Sequence, residues 1–171
     1  MDLSAAALAG SSQGAIICSE DLAHEGQAME VEKKAAETAR QVAQYMLEHD
    51  CASRHLGIKI DSVDEGVAVL SMAVRDDMLN GLDICHGGVT FSLADSAFAF
   101  ACNSRNRKTV ALNCTVNFVA AAKTGDVLTA TAREISLSGR TGIYDVSVKN
   151  QKGELVAEFR GTSYGTSANV V

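Results

Sequence analysis

The chain has 171 residues, enough for one domain with a sizeable core, and 21% charged against 47% hydrophobic residues is ordinary globular composition. A formal charge of −6 argues against a nucleic-acid partner, which needs a basic face, and no apolar run approaches the ~20 residues of a membrane span. Cysteines 18, 51, 85, 102 and 114 are odd in number and lack Cys-x-x-Cys spacing, which reads as the reduced thiols of a cytoplasmic protein without a metal site.

Residues 1–29 contain no Lys or Arg and are rich in Ala, Ser and Gly. Neither a basic secretory start nor an Arg-rich transit peptide fits, and the composition predicts a flexible extension. From Glu30 to His49, Val31, Ala35, Ala39, Val42 and Met46 recur at helical spacing, which predicts one amphipathic helix. Two short strands follow, over about 56–63 and 66–75, and then a loop from Asp76 to Ile84. The stretch from Gly87 to about Asn103 is apolar on every side, which predicts a helix buried all round. Beyond Lys108 the period becomes two: Leu112, Cys114, Val116 and Phe118 alternate with Asn113, Thr115 and Asn117. Turn signals at Thr124-Gly125-Asp126, Ser138-Gly139-Arg140 and Gln151-Lys152-Gly153 divide the remainder into about four strands in a meander. The expectation is an α+β domain over 30–165, a curved antiparallel sheet wrapped around a long central helix, with 166–171 as a C-terminal tail.

One residue in the central helix stands out. Val89 to Cys102 holds a single charge, Asp95, and aspartate is both a poor helix former and rarely buried without a partner. It is either a structural carboxylate, bonded to backbone or to Ser96, or a chemical one.

The segments LGIKIDSVDEGVAVLSM (56–72), MLNGLDICHGGVTFSLADSAFAFACNS (78–104), SGRTGIYDVSVKN (138–150) and GELVAEFRGTSY (153–164) resemble the phenylacetyl-CoA thioesterase family of the hotdog superfamily. The resemblance covers about residues 45–165, and its specific part runs from Asn80 to Ser104. It implies hydrolysis of aromatic acyl-CoA esters by a cytoplasmic homotetramer, with coenzyme A as part of the substrate and no separate cofactor. By residue-for-residue match it implies Asp95 as the catalytic carboxylate, the Gly87 N–H as donor to the thioester oxygen, and Asn80 as a second group holding that oxygen. Ala120-Ala121 stands where the family often has Arg-Pro, and His49-Asp50 where it often has Asn-Asp.

Physical chemistry supports these roles. A helix that opens on Gly87-Gly88 exposes its first N–H groups and the positive end of its dipole, which suits a developing oxyanion. His86 carries an imidazole and is a candidate base, or else an anchor for the loop. Asn80 equally suits an Asx turn with Gly81. Gly88, Ser96, Arg140 and Thr141 are candidate coenzyme A contacts, Arg140 through a phosphate. Asp95 lies eight positions beyond Gly87, about 12 Å along a helix axis at ~1.5 Å per residue. A reacting carbonyl must sit within roughly 3 Å of both groups, so one chain cannot complete the site. A second copy with its helix antiparallel to the first can, and the minimum unit is a homodimer. Two other functions compete: an acyl-CoA-binding regulator, which would need a DNA-reading module, and a hotdog dehydratase or hydratase, whose His-Phe-Pro-Gly signature this proline-free chain lacks.

Overall fold

The computed structural model describes residues 19–171. The chain divides into two units, Met1–Glu32 and Lys33–Val171. Helix α1 spans Ser19–His49. The extension anticipated over 1–29 is therefore helical from Ser19 onward, and its earlier part lies outside the described residues. The run from Leu22 to Met29 is rich in good helix formers (Leu, Ala, Glu, Gln, Met), and this outweighs its loop-like composition. Val31, assigned above to the apolar stripe, is 64% exposed; Ala39, Val42 and Ala43 are the buried positions.

Asp50 then caps a short helix, α2 (Cys51–Leu56), by accepting the Ser53 N–H at 2.9 Å, and Gly57 closes it in the left-handed region at φ 73°. Strands β1 (Lys59–Asp64) and β2 (Val67–Ala73) follow, then a 3₁₀ turn over Asp76–Met78 and helix α3 (Gly87–Asn103). The chain continues through β3 (Thr109–Phe118), β4 (Val127–Ser138), β5 (Thr141–Lys149) and β6 (Leu155–Gly165).

All six strands form one antiparallel sheet in the order β1-β2-β4-β5-β6-β3. The four strands after α3 are thus not a simple meander. Only β4, β5 and β6 are, while β3 crosses to the far edge and pairs with β6. Asn103, at the end of α3, fixes that crossing: its side chain donates to Thr109 O at 3.0 Å and accepts from Thr109 N at 2.9 Å. Irregularities at Ile60/Ser62, Ala111/Asn113 and Glu134/Ser136 interrupt the ladders, and such bulges bend strands, here around the helix.

The core lies between α3 and the concave face of the sheet. Leu93, Ala94, Ala97, Phe98 and Ala101 meet Leu70 and Met72 of β2, Leu128 and Ala130 of β4, Val146 of β5 and Phe159 of β6. The Phe98 ring packs edge-on to Tyr144 at 5.5 Å between centroids and lies 5.7 Å from Phe159. The far end of the sheet is tied by Arg105, which pairs with Glu65 and Glu134, while Tyr144 donates its hydroxyl to Glu134 at 2.8 Å.

Helix α3 is not buried all round as its composition suggested. Val89, Phe91, Ser92, Asp95, Ser96 and Ala99 remain half-exposed, and Gly88 is exposed. Gly88, Ser92, Asp95 and Ala99 recur at helical spacing, so one stripe of the helix is left uncovered by its own sheet.

Close approach of helix and sheet depends on Gly161. A Cβ there would lie 2.8 Å from the Phe98 ring, an aromatic held on its other sides by Tyr144 and Phe159. Gly161→Ala is therefore expected to lower the unfolding free energy by about 1–3 kcal/mol, measured by denaturant titration, because the ring has no free volume to move into.

Candidate active site

The site begins in the loop before α3. Asn80 accepts the Leu82 N–H on Oδ1 at 2.8 Å and the Ile84 N–H at 3.5 Å, and its own N–H donates to Ile84 O at 2.9 Å. This is the Asx turn weighed above, and Asp83 completes it in the left-handed region at φ 56°. With Oδ1 so engaged, the Asn80 side chain has only its NH₂ group to offer a ligand. The loop is tied down by Cys85 N–H to Ala122 O and His86 N–H to Met78 O, both at 2.8 Å.

His86 caps α3. Its Nδ1 accepts the Gly88 N–H at 2.9 Å, which makes Nδ1 an acceptor and leaves Nε2 to carry the ring proton of the neutral imidazole. The Gly88 amide is thereby engaged. His86 C=O takes the N–H groups of Val89 and Thr90. Among the described residues, no acceptor takes the Gly87 N–H. This amide sits beside a cleft of about 340 Å³ lined by Asn80, Ile84, Thr90, Phe118, Val119 and the run Ala120–Ala122. A Cβ on Gly87 would lie 3.1 Å from the Phe118 ring tip, so the glycine lets that ring lie over the head of the helix.

Asp95 lies elsewhere, eight residues along α3 and outside that cleft. Cys114 Sγ of β3 donates to Asp95 Oδ1 at 3.8 Å. Burial pushes the Asp95 carboxyl above the usual carboxylate range, and the Cys114 thiol pulls weakly the other way. Burial, reinforced by the negative charge of Asp95, raises the Cys114 thiol to about 11. No basic side chain neutralises the acid within the described chain. A carboxylate kept at a cost in solvation and with no salt-bridge partner is the pattern of a reactive group.

Ser96 turns toward α2. Ser53 donates to Asp50 Oδ2 at 2.5 Å, so the 3.0 Å contact between Ser53 and Ser96 is a hydrogen bond in which Ser96 donates. Arg140 lies in the β4–β5 turn, where it donates to the Tyr164 hydroxyl at 3.2 Å and stacks 6.0 Å from that ring. It lines a recess of about 50 Å³ with Cys102 and Arg107, at the opposite end of α3 from Gly87. Thr141, next to it, pairs across the sheet with Ser138 and Tyr164. The geometry thus joins Asn80 to Gly87 and sets Asp95, Ser96 and the Arg140–Thr141 turn apart from them. Two neighbours are visible only in three dimensions, Phe118 over Gly87 and Cys114 against Asp95. The period-two pattern of β3 was their one signal in sequence.

Residues 82–157 match the family profile described as the thioesterase superfamily. Over 126 residues the chain is 49% identical to the acyl-coenzyme A thioesterase PaaI of Escherichia coli, covering 74% of this chain and 90% of that protein. The solved structure of the E. coli PaaI protein from the phenylacetic acid degradation operon superposes with a TM-score of 0.78 at 46% identity, over 79% of this chain and 98% of that one. A Streptococcus mutans protein solved with acetyl CoA superposes with a TM-score of 0.63 at 28% identity, over 66% of this chain and 90% of that one.

Two outcomes are expected from this geometry. His86→Ala should lower stability by about 1 kcal/mol in urea titration, and His86→Asn, which can also cap, should restore it. Asp95→Asn should raise the thermal midpoint at pH 7. The native carboxyl holds its proton more tightly than the unfolded one, whose ordinary value is 3.8. Stability therefore falls as pH rises from that value through the native pKa, and the penalty is full above both. The advantage of Asp95→Asn should shrink as the scan is repeated toward pH 3.8 and vanish below it.

Proposed function

The chain belongs to the PaaI family of hotdog acyl-CoA thioesterases and hydrolyses acyl-CoA thioesters; from this premise, we propose that it cleaves aryl-acyl esters such as phenylacetyl-CoA at a site shared by two copies of itself. One observation carries this reading: the Gly87 amide, unpartnered among the described residues, and the raised Asp95 carboxyl belong to the same rigid helix, about 12 Å apart. Hydrolysis needs both at one carbonyl.

In the proposed site, the Gly87 N–H and the NH₂ of Asn80 receive the thioester oxygen as it turns negative. Both are held by hydrogen bonds made before substrate arrives, so no reorganisation accompanies the reaction. Asp95 of the second copy adds to the thioester carbon itself or deprotonates the water that does. The carbon–sulfur bond breaks and coenzyme A leaves as thiolate, which takes up a proton; after direct attack the acyl group remains on Asp95 as a mixed anhydride that water then cleaves, so either path consumes one water and ends in free thiol, free acid and regenerated Asp95. Coenzyme A arrives with the substrate and the chain supplies every other group, so no cofactor enters. Arg140 is exposed and has donors to spare beyond the Tyr164 contact, which suits a coenzyme A phosphate.

Two features favour a second copy as the missing half. The uncovered stripe of α3 carries Gly88, Ser92 and Ala99 around Asp95, small residues that admit another helix closely. Beside it, β3 is an edge strand with Leu112 61% and Phe118 55% exposed, and edges of that kind pair with other chains. We take the homodimer as the catalytic unit and a dimer of dimers as the assembly. Cys51, Cys85, Cys102 and Cys114 are free thiols, which suits a reducing cytoplasm. No helix among the described residues is long and apolar enough to cross a membrane.

Release of free thiol from a panel of short, long and aromatic acyl-CoA esters tests the reading. Aryl-acyl esters should give the highest kcat/KM, and Asp95→Asn should lose about 10²–10⁴-fold in kcat while the dimer persists in sedimentation. Gly87→Pro removes the amide hydrogen at a position that accepts proline, since proline is favoured at the first helical position and His86 already has the extended backbone (φ −60°, ψ 131°) that precedes proline, and its added ring carbons meet the exposed Phe118 ring, which can swing toward solvent. It should lose about 10²–10³-fold. Steady turnover by Asp95→Asn would contradict the assignment, and binding without thiol release would favour the regulator.

A further inference from the structure

Cys114 sits on the inward face of β3, opposite Gly161 in the β3–β6 register, with Sγ 3.8 Å from Asp95 Oδ1. It is the one hydrogen-bond donor that the described residues give to that carboxylate. We propose that Cys114 is a positioning residue of the thioesterase site: its thiol holds Oδ1 of Asp95 so that Oδ2 is the oxygen presented to the thioester. The inference rests on the reading of Asp95 as the reacting carboxylate.

Three observations support the role. The relation between strand and helix is fixed at two points. Asn103 clamps the first residue of β3 to the end of α3, and the Phe98 ring fills the space over Gly161, the cross-strand partner of Cys114. Strand and helix therefore move together, and the sulfur keeps its place against the carboxylate. Next, burial and the neighbouring carboxylate push the Cys114 thiol up to about 11, so it remains S–H, and a donor, at any pH at which the enzyme works. Finally, a thiol is a weak donor. A hydroxyl or amide at this place would bond the carboxylate strongly and lower its basicity, whereas S–H fixes the rotamer and leaves the charge available for attack.

The groups that face Asp95 are few. Cys114 faces it from β3, and Cys102 from its own helix seven residues on, the latter thiol pushed up to about 12. In the shared site the second copy adds the cap formed by its His86. That imidazole is common to every Cys114 variant, so a difference between variants reports the Cys114–Asp95 pair.

The experiment is the pH dependence of kcat/KM for phenylacetyl-CoA hydrolysis by wild type, Cys114→Ala and Cys114→Ser, with Asp95→Asn measured alongside. Cys114→Ala should move the acid limb to higher pH, because burial then acts on the carboxyl unopposed. It should also lower plateau kcat by about tenfold to a hundredfold through misalignment, with KM little changed. Cys114→Ser keeps a donor at the same position but a stronger one; its acid limb should lie below those of both wild type and Cys114→Ala, and its kcat should fall between theirs. Coincident acid limbs for Cys114→Ala and wild type, or an unchanged plateau kcat, would overturn the proposal. Should Cys114→Ala fail to fold, an acid limb in Cys114→Ser identical to wild type overturns it as well. Loss of turnover in Asp95→Asn, whatever Cys114 does, keeps the reading of Asp95 intact; retained turnover in Asp95→Asn removes both.

Discussion

The fixed rise of an α-helix is the constraint on which the proposed site depends. Helix α3 runs unbroken through Gly87–Asn103 and is packed along most of its length, so the spacing of its residues cannot adjust. The amide at its first residue and the carboxylate in its ninth, the two groups to which we assign the chemistry, are held about 12 Å apart however the surrounding loops move. Most enzymes bring distant residues together by folding the chain. In the proposed site the fold holds the two groups apart, and a second helix, running the other way, would bring each amide to the other's carboxylate. On that proposal twofold assembly is a condition for catalysis, and the uncovered stripe of α3 is where it would occur.

The same helix meets opposing demands. Its sheet-facing side must be apolar and small enough for close packing, and Ala94, Ala97 and Ala101 against Gly161 and Ala130 meet that need. Its open side must hold a carboxylate in a poorly solvated place without a cation to quench it. A salt bridge to Asp95 would add stability and lower the pKa, and with it the basicity that hydrolysis uses. A weak thiol contact satisfies both sides. The N-terminus is treated in the same way: His86 accepts the Gly88 amide and thereby stabilises the helix, which leaves the Gly87 amide for the oxyanion of the proposed mechanism.

Much of this was legible in the sequence because it is local. The Gly-Gly start, the isolated Asp95 and the apolar run to Asn103 are contiguous, and the three strands of the β4–β6 meander are separated by short turns with strong signals. What was not legible depends on contacts distant in sequence. Period-two alternation identified β3 as a strand, but no local pattern says that it crosses to the far edge of the sheet, so the exposure of Leu112 and Phe118 and the meeting of Cys114 with Asp95 were invisible. Helix α2 fell in the unassigned stretch between His49 and the first strand, because six residues hold too little periodicity to show a helix. The early start of α1 at Ser19 was missed because Ala, Ser and Gly content suggested a flexible extension, whereas most residues of the run from Leu22 to Met29 are good helix formers.

The most direct test of the shared site is complementation between two inactive chains. Asp95→Asn and Gly87→Pro subunits, separately tagged, are dissociated, mixed in equal amounts and reassociated, and doubly tagged dimers are purified from the mixture and compared with the two parents. A mixed dimer contains one site with both defects and one with neither, so the random mixture should recover about a quarter of wild-type activity, and the purified mixed dimer about half. Mixed dimers that form and stay as inactive as their parents would show that each chain carries a complete site of its own.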